Sequence, residues 1–183
     1  MIFVTDHMVM LDDEELNSAF ICYAHQDNQS EDHQKRWLDR FLQIVRPMIR
    51  QEELNVWSDK ELKIGDAWHS KIQKQLEKAK AIVLFVSPAF LESDYIANNE
   101  MPVLLKRANE NGVPIFQLII SPCLYEETKF LYPDSENGPN EFRLHEIQAA
   151  NSPSKTLIEM NEAEQSRVML EVARSLWSAL ESA

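Results

Sequence analysis

The chain has 183 residues, 44% of them hydrophobic and 26% charged, which suits one domain with a sizeable core. Its formal net charge of −12 argues against nucleic acid as the main partner, because phosphate binding needs a basic face, but it leaves room for a small anion held by a few local Lys or His residues. Cys22 and Cys123 are too few and too far apart for a disulfide framework or a zinc site, and no apolar stretch is long enough to cross a bilayer, so the expected setting is a reducing cytoplasm with no metal and no membrane partner.

Residues 1–17 lack the basic flank of a secretory signal and read as an acidic leader outside the core. AFICY (19–23) is a short buried strand. SEDHQKRWLDRFLQIVRPMIRQ is a helix, with Trp37, Phe41, Ile44, Val45 and Met48 on one face and Ser30, Glu31 and Asp32 suited to its N-terminal end. LNVWS (54–58) is the second strand. Asp66 is the expected N-cap of a second helix, whose stripe is Trp68, Ile72, Leu76 and Ala79. AIVLFVS (81–87) is continuously apolar, the mark of a strand buried on both faces.

The third helix is expected over residues 92–110, with Gly112 ending it, and VPIFQLIIS (113–121) is the fourth strand. Residues 122–154 are irregular, punctuated by Pro122, Pro133, Gly138, Pro139 and Pro153, with a short helix around Glu141–Ala150. KTLIEM (155–160) is a fifth strand. Asn161 and Glu164 resemble a capping box for a last helix that buries Val168, Val172, Ala173, Leu176 and Leu180, and Trp37 and Trp177 read as core. The alternation predicts an α/β domain over 18–183. Its form is a three-layer flavodoxin-like fold, a five-stranded parallel sheet in the order 2-1-3-4-5 with helices on both faces and a switch point between strands one and three.

Three distinctive loops each follow a strand: YAHQD (23–27), WSDKELKIGDAW (57–68) and SPAFLESDYIANNE (87–100). Parallel strands bring all three to one sheet edge, the edge where open α/β sheets bind ligands. Tyr23, His25, Trp57, Asp59, Lys60, Lys63, Trp68, Ser93, Asp94 and Glu100 are thereby concentrated there. Ile96, Glu100, Val103 and Leu104 fall on one helical face, so Glu100 is a carboxylate within an apolar stripe. Pro102 lacks a helix donor and crowds the carbonyl of Asn98, which predicts a kink or a late helix start that aims Glu100 at the strand ends. On pattern alone, Glu100 fits a ligand site or an ion pair with Lys106, Arg107 or another base at a helix–helix contact equally well.

In order and at domain spacing, FICYAHQD, WSDKELKIGDAW and AIVLFVSPAFLESDYIANNE resemble a bacterial Toll/interleukin-1 receptor (TIR) domain over about residues 18–181. The resemblance matches Asp59, Lys60, Glu61, Leu62, Lys63, Ile64 and Gly65 to the family's BB loop, through which such domains assemble with one another. It matches Glu100 to the helix glutamate that is catalytic in the NAD-cleaving branch. It implies NAD as a substrate rather than a cofactor, further TIR domains as partners, a sensor domain or protein elsewhere, and a role in bacterial antiphage defence. Other branches of the family are adaptors that only assemble.

Cleavage of NAD needs one carboxylate rather than the usual glycosidase pair. The nicotinamide is a cationic pyridinium and departs neutral, so no general acid is required. A fixed anion has only to stabilise the oxocarbenium-like ribose. Capture by water gives ADP-ribose, and capture by the molecule's own ribose or adenine gives a cyclic product. Residues expected around the substrate are Tyr23, His25, Trp57, Asp59, Lys63, Ser93 and Ile96. Enzymatic relatives often carry Trp four residues before the glutamate, where this chain has Ile96. Tyr95 is adjacent but points elsewhere on an α-helix, so the aromatic wall is expected from Tyr23, Trp57 or Trp68. A phosphoacceptor receiver is disfavoured, since strand one ends in YAHQD and strand three in Ser87. With only Gly65, Gly112 and Gly138 there is no dinucleotide-binding glycine turn and no P-loop.

Overall fold

The apolar runs of strands one and three lie side by side at the centre of the sheet. The structure, a computed structural model, describes residues 17–51, 54–58, 68–133 and 140–181. Strands β1 (Ser18–Cys22), β2 (Asn55–Trp57), β3 (Ala81–Val86) and β4 (Ile115–Ile119) form a parallel sheet in the order β2-β1-β3-β4. Ile21 aligns with Val83, and Val83 with Phe116. Every residue of β3 is buried because helices cover both faces, which is why its sequence is continuously apolar and not alternating.

Phe20, Cys22, Ile82, Leu84 and Val86 face one layer of helices: α2 (Trp68–Lys78), α3 (Pro88–Glu92) and α4 (Met101–Asn111). These contribute Ile72, Leu76, Phe90 and Leu104. Ile21, Val83, Phe85 and Leu118 face the other layer, where α1 (Trp37–Arg50) and α5 (Glu162–Glu181) contribute Leu38, Phe41, Val172 and Leu176. Each fully buried Leu, Ile or Phe side chain is worth about 1.5–3 kcal/mol relative to exposure. The two layers therefore clamp the sheet and fix the strand ends.

Most expected elements are present, with four differences. Residues 30–36 are not helical from the start: Asp32 caps a short 3-10 turn (His33–Lys35) by accepting from Gln34 N, and α1 begins only at Trp37. KTLIEM is not a fifth strand, so the sheet has four; its residues Leu157–Glu159 form a 3-10 turn instead. The expected helix around 141–150 is absent. In its place β6 (Asn140–Arg143) pairs antiparallel with β5 (Lys129–Tyr132), and a 3-10 turn follows at Leu144–Glu146. Phe130 of this hairpin meets the ring of Phe90 edge-on, with centroids 6.4 Å apart. Finally, Trp37 is buried but Trp177 is only half-buried and does not belong to either core.

The capping box before α5 forms as expected: Glu164 N donates to Asn161 Oδ1 and Asn161 N to Glu164 Oε2, both at 3.0 Å. Gly112 adopts φ +67° at the end of α4, a left-handed conformation that favours glycine. Asp66, the expected N-cap of α2, lies outside the described residues, as do residues 1–16 of the expected leader. No helix among the described residues is long and apolar enough to cross a membrane.

Candidate active site

β1 and β3 are neighbours, and the chain leaves them in opposite directions, towards α1 on one face and α3 on the other. That divergence is the switch point, and it opens a crevice beyond the carboxyl ends of the strands. Two connections shape it. After β1, Tyr23 and Ala24 lead into a 3-10 turn at His25–Asn28. After β3, Ser87 takes an extended conformation and caps α3 by accepting from Phe90 N at 3.0 Å. The Ser87 hydroxyl also donates to Asp27 Oδ2 at 2.6 Å, tying the two connections together.

Burial pushes the Asp27 carboxyl above its ordinary value of 3.8, and the Ser87 hydrogen bond offsets part of that rise. The sign follows directly: a raised folded-state value means that the folded chain holds this proton more tightly than the unfolded chain. Asp27 thus favours the fold fully below the ordinary aspartate range, and that contribution is lost as pH rises through the raised folded value. Ser87→Ala should move the Asp27 midpoint further up in a carboxyl-carbon NMR titration. An unchanged or lowered midpoint would show that the hydroxyl does not stabilise the anion.

Ser93 starts the next helical segment. It is extended, and its hydroxyl oxygen accepts from Ile96 N at 3.2 Å. The helix then widens into a π turn over Ile96–Glu100, where Met101 N reaches back to Ile96 O, before continuing as α4. Pro102, the second residue of α4, has no donor to continue an α ladder through this point. The predicted disruption is therefore real, and its form is a wide turn, a feature frequent at functional sites. Gln73 of α2 secures the turn from the side by donating to Asn99 O at 3.1 Å.

The turn buries Glu100 to 4% exposure, among the apolar side chains of the α2–α4 layer. A carboxylate removed from water requires hydrogen-bond partners. One of them is Cys22 at the end of β1, whose thiol donates to Glu100 Oε2 at 2.7 Å. Glu100 is held at the floor of a cleft of about 430 Å³, within the size range of small-molecule sites.

Of the residues expected around a substrate, Tyr23, His25, Ser93 and Ile96 line this cleft with Glu100. The Tyr23 and His25 rings are 5.6 Å apart and tilted by 41°, forming one wall. Trp57 is not among the lining residues; it is 8% exposed and stacks on Phe20 with centroids 5.3 Å apart. Asp59, Lys60, Glu61, Leu62, Lys63, Ile64 and Gly65 lie outside the described residues, and so does the Trp68 side chain. Of the bases expected as ion-pair partners of Glu100, Arg107 donates from Nη1 to Leu76 O and Lys106 pairs with Glu110. Sequence reasoning missed Tyr95, which lines the cleft.

A larger groove, about 1000 Å³, is bordered by Lys80, Lys106, Arg107, Gly112 and Pro114. Lys80 and Pro114 immediately precede β3 and β4, so this groove belongs to the amino ends of the strands. Its walls carry solvated charges of both signs, and Glu100 is not in it. Among the described residues no cluster of three or more His, Cys, Asp or Glu could hold a metal ion.

A parallel α/β domain with a buried acid at its switch-point cleft is the class that fold and site define. The sequence profile of the TIR domain family matches residues 19–152, most of the chain, and the protein belongs to that family. A relative at 26% identity over 113 residues is an uncharacterized protein, y4lF, of Sinorhizobium fredii (strain NBRC 101917 / NGR234). The match takes in 62% of this chain but 33% of the relative, so the chain spans about a third of that protein's length.

Proposed function

We propose that this TIR domain cleaves the bond between nicotinamide and ribose in NAD, with Glu100 as the catalytic carboxylate. The observation that carries the reading is a carboxylate buried to 4% exposure and yet lining an open cleft at the switch point. A structural ion pair has no need of a cleft, and a purely adhesive surface has no need of a buried acid. In the proposed reaction the C1′–N bond breaks and its electron pair stays on nicotinamide, neutralising the pyridinium. Glu100 faces the positive charge that develops on the ribose and accepts hydrogen bonds from its hydroxyls. Attack by water gives ADP-ribose and releases a proton; attack by the dinucleotide's own adenine or ribose gives a cyclic product.

The reading includes activation by assembly with further TIR domains, with residues 59–65 as the assembly loop, and coupling to a sensor in antiphage defence. TIR domains commonly self-associate, which favours this part of the proposal. A non-enzymatic assembly module is the alternative. Concentrated protein incubated with NAD, followed by chromatography of the products, separates the two. Nicotinamide with ADP-ribose or a cyclic isomer is expected. Intact NAD at every protein concentration would leave only the assembly role.

Tyr95 supplies the flat surface expected beside a nicotinamide or adenine ring. Stacking on an aromatic side chain is worth about 1–3 kcal/mol, so Tyr95→Ala should lower kcat/KM about tenfold. Tyr95→Phe, which keeps the ring, should stay near wild type. Equal losses in both variants would point to the hydroxyl instead.

A further inference from the structure

The thiol of Cys22 has no place in the reaction scheme, yet it is 1% exposed and sits against the acid. Cys22 is the last residue of β1, the strand at the centre of the sheet beside β3. Its pairing with Leu84 fixes its backbone, and Phe20 and Ala24 lie on the same face. Glu100 stands on the wide helical turn, a feature frequent at functional sites. A donor fixed in the sheet therefore meets the acid across the two connections.

We propose that Cys22 is a positioning residue, whose S–H bond to Oε2 orients the Glu100 carboxylate at the cleft. This rests on the NAD-cleaving reading for its consequence in turnover, but not for the bond itself. A carboxylate has two oxygens and several acceptor sites, so the bond from Cys22 takes up only part of its capacity. A thiol suits the place because it packs as a small apolar group and still donates. A water could also satisfy the buried acid, but a donor built into a strand is already oriented before substrate arrives.

The role separates from simple packing by rescue. Cys22→Ala removes the donor and Cys22→Ser restores one. Without the donor, the protonated carboxyl is favoured over the anion. The acid limb of the pH–kcat profile should therefore move to higher pH in Cys22→Ala, with kcat at neutral pH falling about tenfold and KM little changed. Cys22→Ser should recover most of both. His25, Glu92, Tyr23 and Tyr95, the other ionisable groups among the described residues lining the cleft, are the same in both variants. They cannot account for a difference between alanine and serine.

The bond itself is read without NAD. In a Cys123→Ala background, Cys22 is the single thiol, and its infrared S–H stretch reports hydrogen bonding. The band should lie below that of a free thiol and rise in Glu100→Leu. A band at the free-thiol position that ignores Glu100→Leu overturns the proposal, as does a Cys22→Ser enzyme as impaired as Cys22→Ala. A lowered band in a protein that leaves NAD intact would instead sink the NAD-cleaving reading, and with it the role in turnover, while the bond stands.

Discussion

Glu100→Gln should lose at least about 10³-fold in nicotinamide release while its melting temperature holds or rises. The two halves have one cause. Replacing the acid with its neutral isostere removes the anion that the proposed transition state requires, and preorganised electrostatic groups of this kind contribute on the order of 10²–10³ or more each. The site's shape is kept, so substrate affinity should change far less than kcat. In the folded protein, however, burying an anion carries a desolvation cost. Glu100 is 4% exposed, in an apolar layer with Ile96, Met101 and Leu104. The amide is cheaper to bury and can still accept from the Cys22 thiol. Activity and stability should thus move in opposite directions, as they do where function holds a group in an unfavourable place. Single-turnover kinetics and calorimetry on the same preparations check both. A variant that is inactive because it is unfolded would show a large drop in melting temperature, and one that retains turnover would remove Glu100 from the chemistry.

The parts of this fold legible in the sequence are those written in periodicity. β3 reads as apolar throughout because both of its faces are covered, and α5 shows its stripe and its cap. The parts that were not legible are decided by local competition. KTLIEM has strand-like residues, but Thr156 N and Oγ1 both donate to Glu159 Oε2, at 2.8 and 2.7 Å. Side-chain bonds of this sort draw the backbone out of a ladder and into a turn. In the β5–β6 hairpin, Lys129 and Glu141 meet at 2.9 Å across the strands, a pairing that spacing in the sequence does not announce.

At the site, the divergence is sharper still. Pro102 announced a disrupted helix, but α-helical counting places a residue five positions back about 140° around the axis. The bond from Met101 N to Ile96 O departs from that count, and Tyr95 lines the same cleft as Glu100. An aromatic side chain thus lines the cleft one position before Ile96, where α-helical counting does not place it. Cys22 entered only as one of two cysteines too few for a disulfide framework or a zinc site, since nothing in the sequence places residues 22 and 100 in contact.

The absent fifth strand leaves a question of chemistry: what satisfies the open edge of β4? Asn151 is the main answer. Its Oδ1 accepts from Ile119 N and its Nδ2 donates to Ile119 O, both at 2.9 Å, so one side-chain amide takes the place of a strand's peptide group. Ala150 N donates to Gln117 O and Ile158 N to Ile120 O on either side. Nδ2 also reaches Lys155 O at 3.2 Å, closing the loop upon itself. Asn151→Ala should therefore leave both polar groups of Ile119 without this partner in a buried setting, at about 1–3 kcal/mol for each, or about 3 kcal/mol together. Asn151→Asp is the sharper variant. It matches the volume and keeps the acceptor for Ile119 N, but it sets a carboxylate oxygen against Ile119 O where a donor stood. It should destabilise at least as much as alanine, although it is the smaller change in shape. Urea unfolding midpoints at constant slope measure both. Aspartate more stable than alanine would mean that filling the space matters at this edge and the paired amide does not.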